Sequence, residues 1–133
     1  MTDNALPESL AAARERLGQV LDQAGRPANG ATLLAVSKTK PASSVRLAWQ
    51  HGQRAFGENY LQEALGKQAE LTDLPLSWHF IGPIQSNKTR PIAEHFDWVH
   101  SVDRLKIAQR LSEQRPAHLP ALNICLQVNV SGE

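Results

Sequence analysis

Short apolar runs alternate with amphipathic helical stretches along nearly the whole chain, and no other feature narrows the possible folds as far. Thr32-Leu33-Leu34-Ala35-Val36-Ser37 is an apolar run of the kind buried on both faces in a parallel sheet. Pro41 opens a helical stretch with Val45, Ala48 and Trp49 on one face, and Gly52 closes it. A strand at Arg54-Ala55-Phe56 follows, then a helix from about Asn59 to Leu71 with Leu61, Ala64, Leu65 and Gln68 in register. The next strand runs from Leu76 to Ile81, and Ser86 or Asn87 caps a helix whose first turn holds Pro91. Asp97 to His100 reads as a strand, and Asp103 caps a helix with Leu105, Ala108 and Leu111 on one face that Arg115-Pro116 stops. The last strand, Ala121 to Val130, alternates Leu122, Ile124, Leu126, Val128 and Val130 with Asn123, Cys125, Gln127 and Asn129.

Ahead of the first strand, Leu6, Leu10, Ala13, Leu17, Val20, Leu21 and Ala24 recur at helical spacing, which predicts an amphipathic helix from Ala5 to Ala24. Asn4 caps it, Pro7 sits in its first turn, and Gly25 with Pro27 ends it. Its polar face carries Arg14, Glu15 and Asp22.

Five strands with interposed helices predict an α/β fold with a parallel sheet, because parallel neighbours need crossovers and these are right-handed. An open doubly wound sheet and the first part of a (β/α)₈ barrel both satisfy that order. The polar face of the last strand favours the barrel, where Asn123, Gln127 and Asn129 can point into a lumen. At 133 residues the chain has room for one domain, 1–133. Its formal charge of +1 gives no general attraction to nucleic acid or anionic lipid, and no apolar run approaches the roughly 20 residues of a membrane span. With Cys125 as the single cysteine and no secretion-like start, a reducing cytoplasmic location is expected.

In either architecture ligands bind beyond the carboxyl ends of the strands. Lys38 follows the first strand directly, where its amine is expected to be partly desolvated and therefore more often neutral. A neutral lysine amine is the group that condenses with aldehydes, pyridoxal 5′-phosphate (PLP) included, although a lysine at a strand end more often simply reaches water. Asn59 reads as a helix cap that could also face a site. Gly82-Pro83-Ile84-Gln85-Ser86-Asn87-Lys88 looks like an anion cradle but holds one glycine and no P-loop pattern. His79, between Trp78 and Phe80, reads as a packed histidine; His51, His95, His100 and His118 make no metal spacing with Cys125, so no metal is expected. Trp49, Trp78 and Trp98 read as core. No nucleophile with a histidine base is apparent, which disfavours a hydrolase.

Taken in order, the strand ends resemble the pyridoxal phosphate homeostasis (YggS/PROSC) family. The resemblance rests on Leu34-Ala35-Val36-Ser37-Lys38-Thr39-Lys40-Pro41, Phe56-Gly57-Glu58-Asn59-Tyr60-Leu61-Gln62-Glu63 and Trp78-His79-Phe80-Ile81 with Gly82 to Lys88, continued by His100-Ser101-Val102-Asp103 and Gln127 to Glu133. It implies a TIM-like (β/α) barrel similar to the alanine racemase N-terminal domain, here about its first five strands and an N-terminal helix. It further implies PLP held as a Schiff base on Lys38 with Asn59 near the cofactor, a monomer in the full-length family, and a PLP carrier or regulator without catalytic turnover. Family members are longer. Their phosphate-binding groups and the arginine facing the pyridine nitrogen lie in later strands, so no residue here is assigned to them. A fragment of this extent is expected to be poorly stable alone, with unpaired edges at its first and fifth strands, and to bind PLP weakly if at all. Two other readings stand beside this one: a PLP-dependent racemase or decarboxylase on the same barrel, and a cofactor-free scaffold fragment.

Overall fold

The computed structural model describes residues 5–128, and within them every strand pairs in parallel with its sequence neighbour. The strands are β1 (Ala35–Val36), β2 (Ala55–Glu58), β3 (Ser77–Phe80), β4 (Trp98–Val102) and β5 (Asn123–Leu126), ordered β1-β2-β3-β4-β5 across the sheet. Helix α1 (Leu6–Gln23) precedes them, and α2 (Ala42–Gln50), α3 (Leu61–Glu70), α4 (Thr89–His95) and α5 (Leu105–Gln114) form the crossovers. A doubly wound sheet must reverse its strand order at a switch point, and this one never does. With right-handed crossovers, unbroken order sends the helices to one face and leaves the other face as a barrel's lumen side. The fold is therefore a partial TIM-like α/β barrel.

The core lies between the sheet and its crossover helices. Phe56, Trp78, Phe80, Val99 and Val102 from the strands meet Val45, Ala48, Ala64, Ile92, Ala93, Ile107 and Leu111 from α2 to α5. Phe80 and Phe96 pack edge to face, 5.3 Å between ring centres. On the opposite face stand Ser77, His79, Trp98 and His100, none of them fully buried.

Local capping and edge effects redraw several expected boundaries. Asn59 does not cap α3, whose N-cap is Tyr60; β2 instead runs on through Gly57 and Glu58, placing Asn59 at the strand end. Asp103 does not cap α5 either, because Arg104 takes that place with no side-chain cap bond and Asp103 pairs with Arg104 at 3.6 Å. Neither Ser86 nor Asn87 caps α4, since Ser86–Lys88 form a short 3₁₀ turn leading into it. On α5 the buried pair is Ile107 and Leu111, and Leu105 is 74 % exposed.

Among the described residues β1 and β5 are the sheet's edges, and there the both-faces burial expected of the first strand is not seen: Val36 is 52 % exposed. β5 shows no alternating burial, with Leu126 and Val128 exposed; its expected residues Asn129 and Val130, like the Asn4 cap, lie outside the described residues. Of the three tryptophans only Trp78 is buried. Trp49 is half-buried on α2, and Trp98 stands on the lumen side, stacked on His79.

α1 begins at Leu6 with Pro7 in its first turn and gives way at Gly25, whose φ of +70° suits glycine. Arg14 does not stay on a solvated face: it donates to the His51 carbonyl and, at 3.1 Å, to Gln53 Oε1, tying α1 to the turn before β2. Among the described residues no helix is long and apolar enough to cross a membrane.

Candidate functional site

The parallel register pairs Val36 with Gly57, so Lys38, in the turn after β1, and Asn59, directly after β2, both stand at the carboxyl ends of adjacent strands. Lys38 is exposed, contrary to the expected desolvation, because it lies past the last paired residue of an edge strand. It occupies the second position of a tight turn in which the Lys40 N–H donates to the Ser37 carbonyl at 3.1 Å. Thr39, third in that turn, has φ +65°, the left-handed conformation that glycine or asparagine usually supplies.

A buried ionic cluster holds this turn. Glu58, wholly buried at the end of β2, pairs with Lys67 of α3 at 2.8 Å, and Lys67 also lies 3.0 Å from Glu63. The third Lys67 proton goes to the Ser37 carbonyl, so all three ammonium donors are used. Ser37 Oγ donates to Glu58, and the Thr39 N–H donates to Glu63. The Lys67 hydrogen bond chiefly holds the Glu63 carboxyl below its usual range, helped by the Thr39 N–H and opposed by desolvation. Sequence reasoning missed Lys67 and Glu58. The available signal was a lysine three residues beyond buried Ala64, on the inward face of α3, with Glu63 one turn before it.

Asn59 is half-buried, yet its Oδ1 is buried with no hydrogen-bond partner among the described residues, and so is Glu58 Oε1. Gly82 explains how Asn59 comes to be enclosed. A Cβ placed on Gly82 would lie 2.7 Å from both the Cβ and the carbonyl oxygen of Asn59, so only glycine allows the loops after β2 and β3 to meet. Gly82→Ala is accordingly expected to cost about 1–3 kcal/mol by overpacking, read as a lowered denaturation midpoint. Gly66→Ala on α3, where a Cβ meets nothing, is expected to gain up to about 1 kcal/mol through helix propensity.

Beside Asn59 a cleft of about 730 Å³ opens between those two loops, lined by Tyr60, Glu63, Ile84, Gln85 and Lys88 among others. Within the Gly82–Lys88 segment the Lys88 N–H donates to the Gln85 carbonyl at 2.9 Å, the Ser86 carbonyl accepts from Arg110 at 2.8 Å, and Gly82 packs against Asn59.

At the other ends of the strands, His79 and His100 meet at 3.0 Å in a cavity of about 840 Å³ that α1 helps to line, with Trp98 stacked on His79 at 5.6 Å. Desolvation first, and the His100 charge second, hold His79 below the ordinary value of 6.5, with Asp97 opposing them. The folded chain therefore binds fewer protons here than the unfolded chain. Stability is full above the ordinary range and declines as pH falls from 6.5 toward the depressed value. NMR titration is expected to place the His79 midpoint below 6.5, and a midpoint at or above it would contradict this geometry. Among the described residues no group of three or more His, Cys, Asp or Glu could hold a metal ion.

Comparison with known proteins gives consistent matches. Residues 9–133 match the family described as alanine racemase, N-terminal domain. The chain is 72% identical over 130 residues to a pyridoxal phosphate homeostasis protein of Pseudomonas aeruginosa, covering 98% of this chain and 56% of that protein. It is 52% identical over 133 residues to the protein of the same name from Escherichia coli K12, covering 98% and 57% respectively. Among solved structures it is similar to PipY of Synechococcus elongatus PCC7942 without PLP, with a TM-score of 0.74 and 49% identity over 88% of this chain and 54% of that one. PipY with PLP bound is also similar, at a TM-score of 0.63 and 52% identity over 76% and 47%. The chain thus spans a little over half the length of the curated relatives it matches.

Proposed function

The chain belongs to the alanine racemase N-terminal domain family, and from that premise we propose that it carries the amine side of a PLP site serving intracellular PLP homeostasis. Lys38 is the amine that bonds the cofactor, and Asn59 lies against it. The observation that carries this reading is an exposed lysine at the carboxyl end of β1 and an orphaned, buried acceptor at that of its parallel neighbour β2. The donor set fits: a primary amine for an aldehyde and an amide oxygen lacking a donor. The bound cofactor of PipY and the names of the curated relatives support it further.

When bound, PLP supplies an aldehyde that condenses reversibly with a primary amine, releasing water. The chain's own contribution is to present Lys38 at a fixed turn, with the unpartnered Asn59 Oδ1 at the neighbouring strand end as the acceptor nearest to hand for the cofactor's polar atoms once the loops admit it. Lys38 must give up its ammonium proton to react, because only the neutral amine attacks a carbonyl. The function is holding and releasing the cofactor in a cytoplasmic setting rather than turnover, in line with the relatives' naming as homeostasis proteins.

Titration with PLP, followed by the visible absorbance of the imine, tests this reading. A saturable band is expected, and Asn59→Ala is expected to weaken apparent affinity by about 3- to 10-fold, the worth of one hydrogen bond. Absence of any saturable band in the wild-type chain would overturn the reading. Racemisation of common amino acids by the loaded chain is expected to be absent.

A further inference from the structure

We propose that Glu63 and Lys67 are positioning residues for Lys38, acting through the two residues that flank it. This rests on the reading of Lys38 as the PLP-bonding amine.

The flanks are held from both sides. Before Lys38, the Ser37 carbonyl accepts from Lys67 Nζ and the Ser37 hydroxyl donates to Glu58; after it, the Thr39 N–H donates to Glu63. Lys67 lies within 3.0 Å of both carboxylates, so one buried ammonium joins the two clamps into a single unit. Both clamps come from the strand end and helix that follow β1, and neither is local to the turn.

The turn needs such support. A threonine at φ +65° sits in a backbone region that costs a non-glycine residue about 1–2 kcal/mol, and it persists only where surrounding contacts over-determine it. The Glu63 bond to the Thr39 N–H is that contact on the C-terminal side. Without it the turn is free to relax and the Lys38 side chain samples more directions. Lys38 is itself exposed, so nothing in its own packing replaces the clamp.

The test uses Glu63→Ala, because Glu63 is partly exposed on a helix surface where alanine is well tolerated. Wild type, Glu63→Ala and Glu63→Gln are treated with PLP and borohydride, and the ratio of label on Lys38 to label on Lys40 is read by peptide mass spectrometry. Hydrogen exchange of the Thr39 amide is measured alongside. Glu63→Ala is expected to lower the ratio by about tenfold, as loss of a hydrogen bond to a charged group implies, and to deprotect the Thr39 amide. Glu63→Gln keeps an acceptor and is expected to restore most of both. A wild-type ratio and wild-type Thr39 protection in Glu63→Ala, or no restoration by Glu63→Gln, overturns the proposal while leaving Lys38 as the amine. A wild-type chain without preference for Lys38 removes the reading of Lys38 and this proposal with it.

Discussion

Replacing Lys67 with methionine is expected to destabilise the chain by about 3–5 kcal/mol, because it leaves a fully buried Glu58 carboxylate without its counter-charge. The same change strips the Ser37 carbonyl of its buried donor. Replacing both members together, Glu58→Met with Lys67→Met, removes the stranded charge and is expected to cost less than Lys67→Met alone, since apolar substitution of a whole buried pair is often close to neutral. Urea denaturation of the two single variants and the double variant measures the coupling. Additive losses would show that the two groups do not act as a pair. For a chain at or below the low end of the usual range of about 5–15 kcal/mol, as its unpaired edges lead one to expect, the single change is large enough to leave a substantial unfolded fraction.

Lys38→Ala is expected to eliminate the imine absorbance with PLP while leaving the fold intact. The side chain is exposed and its turn is tied through Ser37 and Thr39 backbone and side-chain groups that alanine does not touch. A surface substitution of this kind ordinarily changes stability by no more than about 0.5 kcal/mol. The two predictions therefore separate cleanly: Lys67 is tested by stability, and Lys38 by chemistry without loss of fold. Retention of a saturable imine band by Lys38→Ala would move the amine to another lysine.

Much of this arrangement can be read from the residues alone, because it rests on periodicity. The alternation of apolar runs such as Leu33 to Val36 with stretches such as Val45 and Ala48 determines the βα order, and the strand ends follow from it. Lys38 and Asn59 stand at strand ends for that reason. Strand order across the sheet is not contained in the alternation, and it is the unbroken sequence β1 to β5 that excludes the doubly wound alternative. The polar face of β5 pointed to the barrel for a weaker reason, since that edge strand shows no alternating burial.

Capping was the least legible level. Asn59 and Asp103 have good capping side chains, yet backbone pairing extends β2 to Glu58 and the α5 N-cap falls to Arg104. The exposure of Lys38 was hidden because a strand end reads as buried unless one knows that the strand is an edge. Lys67 was hidden for the opposite reason: a lysine on a helix reads as solvated, and only the fold reveals Glu58 and the Ser37 carbonyl beneath it.

The most direct measurement is to trap the wild-type chain with PLP and borohydride and map the modified lysine by peptide mass spectrometry, with Lys38→Ala as control. A pyridoxyl group concentrated on Lys38 and absent from the control is the expected result. Label spread over Lys40, Lys88 and Lys106 as readily as over Lys38 would contradict the assignment of Lys38 as the cofactor-bonding amine.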